Sequence, residues 1–352
     1  MSQFHTLSIA SIKKITNASV AITFVIPSEL KDNFKFKAGQ YITLKTSING
    51  EEIRRDYSIC TSVNSGDLTV GIKAVEGGAF SVYANEKLVE GNTLEVAEPQ
   101  GRFIFEPHSQ NTRTVAAFAA GSGITPVLSI AKTLLEDEPF SNFILVYGNK
   151  TPQDTMFLNE LNQLENTYGN RIHIHHVFSQ TREDHALFGR IDKSIVNLIT
   201  KNKYKNVTVD TFYLCGPEEM IHTVKDTLLE NGVKEKNIKF ELFTTPTAKE
   251  SLKNNTSLSG QSSIKIIVDE EEFSIEMSKE DTILDAALSE DIDAPYSCQG
   301  GICSSCIARV VEGEASMRQN NILTDNEVAE GLILTCQAQP VSDTLTVDFD
   351  DV

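Results

Sequence analysis

Positive charge is scarce in this chain: 31 Lys and Arg stand against 49 Asp and Glu, a net charge of −18. A surface of that sign repels phosphates and argues against nucleic acid as a partner. No apolar run reaches the roughly 18 residues that would cross a bilayer, so no membrane partner is expected. The opening stretch MSQFHTLSIASIKK has neither the charged lead nor the apolar core of a secretory signal, and a cytoplasmic location is expected. Internal repeats are also missing. Only six cysteines occur, and in a cytosolic chain they point to metal or redox work over structural disulfides.

What is present exceeds one ordinary core. At 352 residues, with 40% hydrophobic and 23% charged, the chain reads as globular with two or three domains. Its acidity is uneven. From Ile264 to the C-terminus 20 Asp and Glu face 4 Lys and Arg, whereas the first 263 residues hold 29 and 27. A small acidic module follows a near-neutral body.

Alternating apolar and polar runs at 19–26, 40–46 and 67–75, with Gly39, Gly66 and Gly91 between runs, predict an antiparallel β-barrel over residues 1–108. From 109 to 243 the pattern becomes strand then helix: TVAAFAA, PVLSIAKTLLE, FILVYG, MFLNELNQLE, RIHIHHVFS, TFYLCG and PEEMIHTVKDTLLENG. That alternation predicts a parallel sheet flanked by helices. The polar stretch 244–263 reads as a linker. Residues 264–352 show strand-like ends around a helix at 282–290 and a cysteine-rich loop, an α+β module.

Cys298, Cys303, Cys306 and Cys336 follow the spacing C-x4-C-x2-C-x29-C, the plant-type pattern for a [2Fe–2S] cluster held by four thiolates. Gly300 and Gly301 let the loop turn tightly and aim N–H groups at sulfur. A structural zinc site is the alternative, although zinc sites usually show two short-spaced pairs. The HIHH run (173–176) resembles a metal site, but on a strand His173 and His175 point one way and His176 the other. A surface or hydrogen-bonded role is expected for them.

Arg55 offers a planar fork for phosphate, Tyr57 a flat face for stacking, and Gly77 and Gly78 before Ser81 a donor-rich turn for an anion. Further on, AAGSGITPV (119–127) follows a strand and opens a helix, the context of a dinucleotide loop. Gly121 and Gly123 would allow close approach to phosphate, Thr125 would cap the helix, and Pro126 suits its first turn.

Taken together, R-x-Y-S (55–58), G-G-x-x-S (77–81), PQGRF (99–103), G-S-G-I-T-P (121–126) and YLCGPEEM (213–220) resemble the ferredoxin–NADP reductase superfamily. The resemblance implies FAD bound by Arg55, Asp56, Tyr57, Ser58, Ile72, Lys73, Ala74, Gly77, Gly78, Phe80 and Ser81. In that family the tyrosine packs on the isoalloxazine ring, the serine lies near flavin N5, and the arginine and glycine–serine turn hold the pyrophosphate. It further implies a nicotinamide nucleotide on Gly121, Ser122, Gly123, Thr125, Pro126, Cys215, Gly216 and Pro217. Ser58 and Cys215 lie at the reacting centre, with Cys215 shaping the pocket and not acting as a nucleophile. Cys60 is expected to be a buried strand residue. Lys150 and Arg182, beyond strand ends, suit a 2′-phosphate, which favours NADPH over NADH.

The order of barrel, nucleotide domain and C-terminal [2Fe–2S] β-grasp-like ferredoxin resembles the reductase components of multicomponent oxygenases. Nearest among these, from RRDYSIC, IKAVEGGAFSVYA, YGNK, FSQTRED, FGRID and LTCQAQP, are the reductases of phenylacetyl-CoA epoxidases, whose electron acceptor is a di-iron oxygenase. Lys150 stands where that group leads one to expect arginine. A ketosteroid hydroxylase reductase, a stand-alone diaphorase and a non-catalytic electron carrier remain as alternatives.

Overall fold

The computed structural model describes residues 3–243 and 260–352, which divide into two compact units. The larger comprises Phe4–Ile53 and Tyr57–Phe243 and contains two sheets. The smaller is formed by the C-terminal residues.

The first sheet consists of β1 (Phe4–Thr16), β2 (Ser19–Val25), β3 (Tyr41–Ile48), β4 (Glu51–Ser58), β5 (Leu68–Lys73) and β6 (Thr93–Ala97), with helix α1 (Ala79–Glu86) before the last strand. Their order is β4-β3-β6-β1-β2-β5, with antiparallel pairing. Side-chain alternation sends Leu7, Ile9, Val20, Ile22, Ile42, Leu44, Val70 and Ile72 inward. Each contributes about 1.5–3 kcal/mol by leaving water. The outer strands then meet: an antiparallel bridge joins Ile59 to Val70, and the Cys60 N–H donates to the Thr69 carbonyl at 2.9 Å. The sheet closes on itself as the expected barrel.

The second sheet is parallel. Its elements are β7 (Thr114–Ala120), α2 (Ile124–Asp137), β8 (Asn142–Asn149), α3 (Leu158–Tyr168), β9 (Ile172–Phe178), β10 (Leu187–Phe188), α4 (Lys193–Asn197), β11 (Thr211–Gly216), α5 (Glu218–Glu230) and β12 (Ile238–Leu242). The strand order is β10-β9-β8-β7-β11-β12. The chain leaves β7 in one direction through β8 to β10 and returns on its other side with β11, so the order reverses between β7 and β11. That is where an open parallel sheet forms a ligand crevice. Residues 115–119 of β7 are all buried, as a central strand covered on both faces must be.

One charge is fully enclosed here. Glu138, just after α2, has a side chain with 0% exposure, yet it receives the Arg113 Nε at 3.0 Å and Nη2 at 2.6 Å, the Ser141 hydroxyl, the Asn111 amide and the His108 N–H. Burial alone would raise its pKa, but these donors outweigh burial and hold the carboxyl below the usual range. The bonds fasten the chain leaving the barrel to the start of β7.

The C-terminal unit contains β13 (Gln261–Val268), β14 (Glu271–Ser278), α6 (Ile283–Ser289), β15 (Ile307–Glu312), β16 (Ala315–Met317), α7 (Asp325–Ala329), β17 (Leu332–Leu334), β18 (Ala338–Pro340) and β19 (Thr344–Asp348). The main sheet runs β14-β13-β19-β15-β17, and β16 pairs with β18. Ile283, Leu284 and Ala287 of α6 share a core with Ile264, Ile266, Leu345 and Val347, a helix packed across a mixed sheet. No helix among the described residues is long and apolar enough to cross a membrane.

Two sequence expectations change. Residues 244–259 of the expected linker lie outside the described residues, and its last three, Gln261–Ser263, are already strand. They pair with Ser278, Met277 and Glu276 of β14, so the module begins before Ile264. The stretch Gly77–Ser81, read as a turn, keeps a turn at Gly77, closed by the Gly78 N–H on the Val75 carbonyl, and then opens a helix, with Gly78 at the N-cap of α1.

Candidate redox site

The barrel side of the site grows from the end of β4. Arg55 and Asp56 lie on that strand, and the Arg55 Nη1 donates to the Arg54 carbonyl at 2.7 Å. Tyr57 is half-buried and packs on Phe80 with ring centroids 5.5 Å apart. Phe80, 1% exposed, anchors α1 in the barrel core. The Ser81 hydroxyl accepts from the Val75 N–H at 3.1 Å, so this serine ties the entry to α1. No side chain caps the start of α1, and the first N–H groups of any helix lack partners within it, which suits an anion. Ile72 and Lys73 end β5, and the Ala74 N–H donates to the Ala18 carbonyl at 2.8 Å.

Gly121 (φ +54°) opens the nucleotide loop. A Cβ added there would meet nothing nearer than the Lys73 Nζ at 3.6 Å, and the Tyr147 hydroxyl holds its carbonyl at 2.9 Å. Open space, a left-handed glycine and an ammonium group make a fitting seat for phosphate. Burial lowers the pKa of Lys73, nearby Lys150 adds to this, and Asp154 opposes it.

One role assigned to this loop from sequence, the Thr125 cap, is corrected, and Gly123 gains a packing reason beside the role expected of it. Gly123 serves backbone packing: its Cβ would lie 2.1 Å from the Cys215 carbonyl oxygen, so α2 can begin against β11 only if this residue is glycine. Thr125 does not cap α2. The N-cap is Gly123, and the Thr125 hydroxyl, one residue inside the helix, donates to the Ser122 carbonyl at 3.0 Å. Pro126 occupies the first turn.

At the crevice Cys215 and Gly216 end β11, and Pro217 is the N-cap of α5. Cys215 is fully buried; burial first, then the charge of Glu241, pushes its thiol well above the ordinary value. Glu241 lies beside it on β12, and the Ser58 hydroxyl donates to the Glu241 Oε2 at 3.3 Å. The carboxylate that holds Ser58, which the sequence reading missed, thus comes from the strand position beside Cys215. The sequence carries no signal for it, because Lys239 and Glu241 alternate with Ile238, Phe240 and Leu242 as on any half-buried strand. Cys60 is 2% exposed, its thiol donates to the Thr69 carbonyl at 3.3 Å, and burial pushes its pKa up to about 12.

Lys150 and Arg182 come from neighbouring strand ends, because the Gln180 N–H donates to the Lys150 carbonyl at 3.0 Å. The Arg182 guanidinium lies 4.3 Å from the Phe188 ring centroid. The histidines are otherwise engaged: the His175 Nε2 is 2.9 Å from the Tyr204 hydroxyl, and His176 stacks on Phe178.

In the C-terminal unit Cys303, Cys306 and Cys336 are buried and Cys298 half-buried. Thr335 sends both its N–H and its hydroxyl to the Cys306 carbonyl at 3.0 Å, bringing the distant fourth cysteine to the loop. The Gly300 N–H donates to the Cys298 Sγ at 3.4 Å. Among the described residues no group of three or more such side chains surrounds a single ion. The thiols instead touch in sequence: Cys298 meets Cys303 and Cys336, and Cys336 meets Cys306. Those contacts lower the pKa of Cys298 and raise those of Cys303 and Cys336. Four thiols drawn together from one loop and one distant position, at the plant-type spacing, fit a two-iron cluster.

Comparison with known proteins agrees with this division. Residues 6–105 match the oxidoreductase FAD-binding domain, 118–226 the oxidoreductase NAD-binding domain and 266–341 the 2Fe-2S iron-sulfur cluster binding domain. The chain is 40% identical to a component of the 1,2-phenylacetyl-CoA epoxidase of Escherichia coli (strain K12), over 99% of both chains. It is 29% identical to the ferredoxin reductase component of 3-ketosteroid-9-alpha-monooxygenase from Rhodococcus rhodochrous, over 97% of this chain and 96% of that one. The fold is similar to that of phthalate dioxygenase reductase, with a TM-score of 0.61 and 24% identity over 98% of each chain. The chain belongs to the ferredoxin–NADP reductase superfamily, in the branch whose members end in a plant-type 2Fe–2S domain.

Proposed function

We propose that this chain is the reductase component of a phenylacetyl-CoA epoxidase, carrying electrons from NADPH through FAD and a [2Fe–2S] cluster to a di-iron oxygenase in the cytoplasm. The observation that carries the reading is the 40% identity to a component of such an enzyme along 99% of both chains.

When bound, a flavin would accept one hydride, two electrons at once, and pass those electrons on singly, which a nicotinamide and an iron–sulfur cluster cannot do for each other directly. The protein supplies alignment. Tyr57 offers its ring to the flavin, Ser58 is held by Glu241, and Cys215 closes the crevice where a nicotinamide would lie. Arg55 and the start of α1 suit the flavin pyrophosphate, while Gly121 and Lys73 suit that of the nucleotide. Buried as a neutral thiol, Cys215 fills space and excludes water; neither it nor Ser58 needs to move a proton for hydride transfer. Lys150 and Arg182 would meet the 2′-phosphate, which supports NADPH. On this reading residues 1–108 hold the flavin, 109–243 the nucleotide and the unit from β13 onward the cluster.

The test is reconstitution. The purified holoprotein should support epoxidation of phenylacetyl-CoA by the oxygenase components of a phenylacetyl-CoA epoxidase, with NADPH giving a higher kcat/KM than NADH. NADPH oxidation without epoxide, or efficient coupling only to a ketosteroid hydroxylase as in the relative that is 29% identical, would overturn the assignment.

A further inference from the structure

Ser297 immediately precedes the first cluster cysteine and is 2% exposed, yet its hydroxyl has no hydrogen-bond partner among the described residues. The other buried hydroxyl residues of the same unit are all engaged. Ser262 donates to the Ser342 carbonyl, Thr282 accepts the Asp285 N–H, and Thr335 donates to the Cys306 carbonyl. A hydroxyl held away from water without a partner is costly, so a partner is expected in the loaded state. We infer that Ser297 donates a hydrogen bond to a sulfur of the [2Fe–2S] cluster and thereby raises its reduction potential. This rests on the reading of Cys298, Cys303, Cys306 and Cys336 as cluster ligands.

The direction follows from charge. Four thiolates around two irons and two sulfides leave an anionic group, and reduction adds one more negative charge. A donor aimed at sulfur stabilises the reduced form more than the oxidised one, as hydrogen bonding does in iron–sulfur sites generally. The Gly300 N–H already serves the Cys298 Sγ in this way. Ser297 adds a side-chain donor, the part of the set that a substitution can remove without touching the backbone.

The experiment uses the full-length holoprotein, with the cluster potential read from a reductive titration followed by EPR. Ser297→Ala should keep the oxidised [2Fe–2S] spectrum and shift the one-electron equilibrium about 3- to 10-fold toward the oxidised cluster, about 30–60 mV lower. Ser297→Thr, which keeps the hydroxyl, should restore most of the potential. An Ala variant with a full cluster and an unchanged potential would overturn the inference, as would a Thr variant shifted as far as Ala. A wild-type protein with no cluster would instead sink the ligand assignment. Should both variants lose the cluster, a crystal structure of loaded wild type decides: the Ser297 Oγ within hydrogen-bond reach of a sulfur supports the bond, and an Oγ turned to a buried water refutes it.

Discussion

At the crevice, burial sets which side chains are chemically active. Cys215 and Cys60 are enclosed, and burial holds both thiols protonated, Cys60 at about 12. Since only the thiolate is nucleophilic, iodoacetamide at pH 8 should leave both unmodified in the native holoprotein and alkylate them after unfolding, as read by peptide mass spectrometry. Rapid native labelling of Cys215 would show a reactive thiol and defeat the space-filling role. Ser58 differs, because its hydroxyl is oriented by Glu241 at 3.3 Å. Ser58→Ala should slow flavin reduction by NADPH about 10- to 100-fold in stopped-flow measurements, the scale expected when reacting partners are misplaced by about 1 Å. An unchanged rate would remove this pair from the reacting centre.

Among the elements, the loop between β7 and α2 separates two uses of glycine. At Gly123 an added methyl meets the Cys215 carbonyl at 2.1 Å, backbone against backbone, whereas at Gly121 it meets only the flexible end of Lys73 at an ordinary 3.6 Å. Gly123→Ala should therefore lower the melting temperature and the yield of folded protein. Gly121→Ala should cost about 1–2 kcal/mol for its left-handed backbone and act chiefly by raising the KM for NADPH. Equal thermal effects would contradict the division. The enclosed Glu138 makes a pH-dependent contribution. With its pKa held below the ordinary 4.5, its stabilisation is fully present above that value and fades as pH falls through the folded pKa. Glu138→Gln should cost about 3–5 kcal/mol in urea unfolding at pH 7, and the gap to wild type should narrow in acid. How legible these elements were depended on what fixed them. β2, β3, β5, β7, β8, β9 and β11 were readable because burial imposes alternation or continuous apolar runs, whereas β1, β6, β10 and β12 were not named from sequence. Helix α1 was not, since two glycines conceal its start. Gln261–Ser263 were missed because polar residues join β13 through backbone pairing with β14, which leaves no side-chain pattern. Glu241 was missed because its role comes from a neighbour 183 residues away in the chain.

For the molecule as a whole, charge is the property that composition revealed and the fold does not explain. The surplus of 16 acids falls within residues 264–352, the module that carries the cluster cysteines, while the rest of the chain is nearly balanced. A solvated acidic surface would aid solubility wherever it lay. Its concentration on the electron-delivering module instead suits steering toward a basic face of the oxygenase, which speeds encounter by about 10- to 1,000-fold at low salt. Raising the salt from about 0.01 M to about 1 M shortens the screening length from about 30 Å to about 3 Å. Oxygenase-dependent turnover should then fall steeply, while NADPH-driven reduction of a small neutral quinone should barely change. If both reactions respond alike, the acidity serves solubility and docking must rest on uncharged contacts.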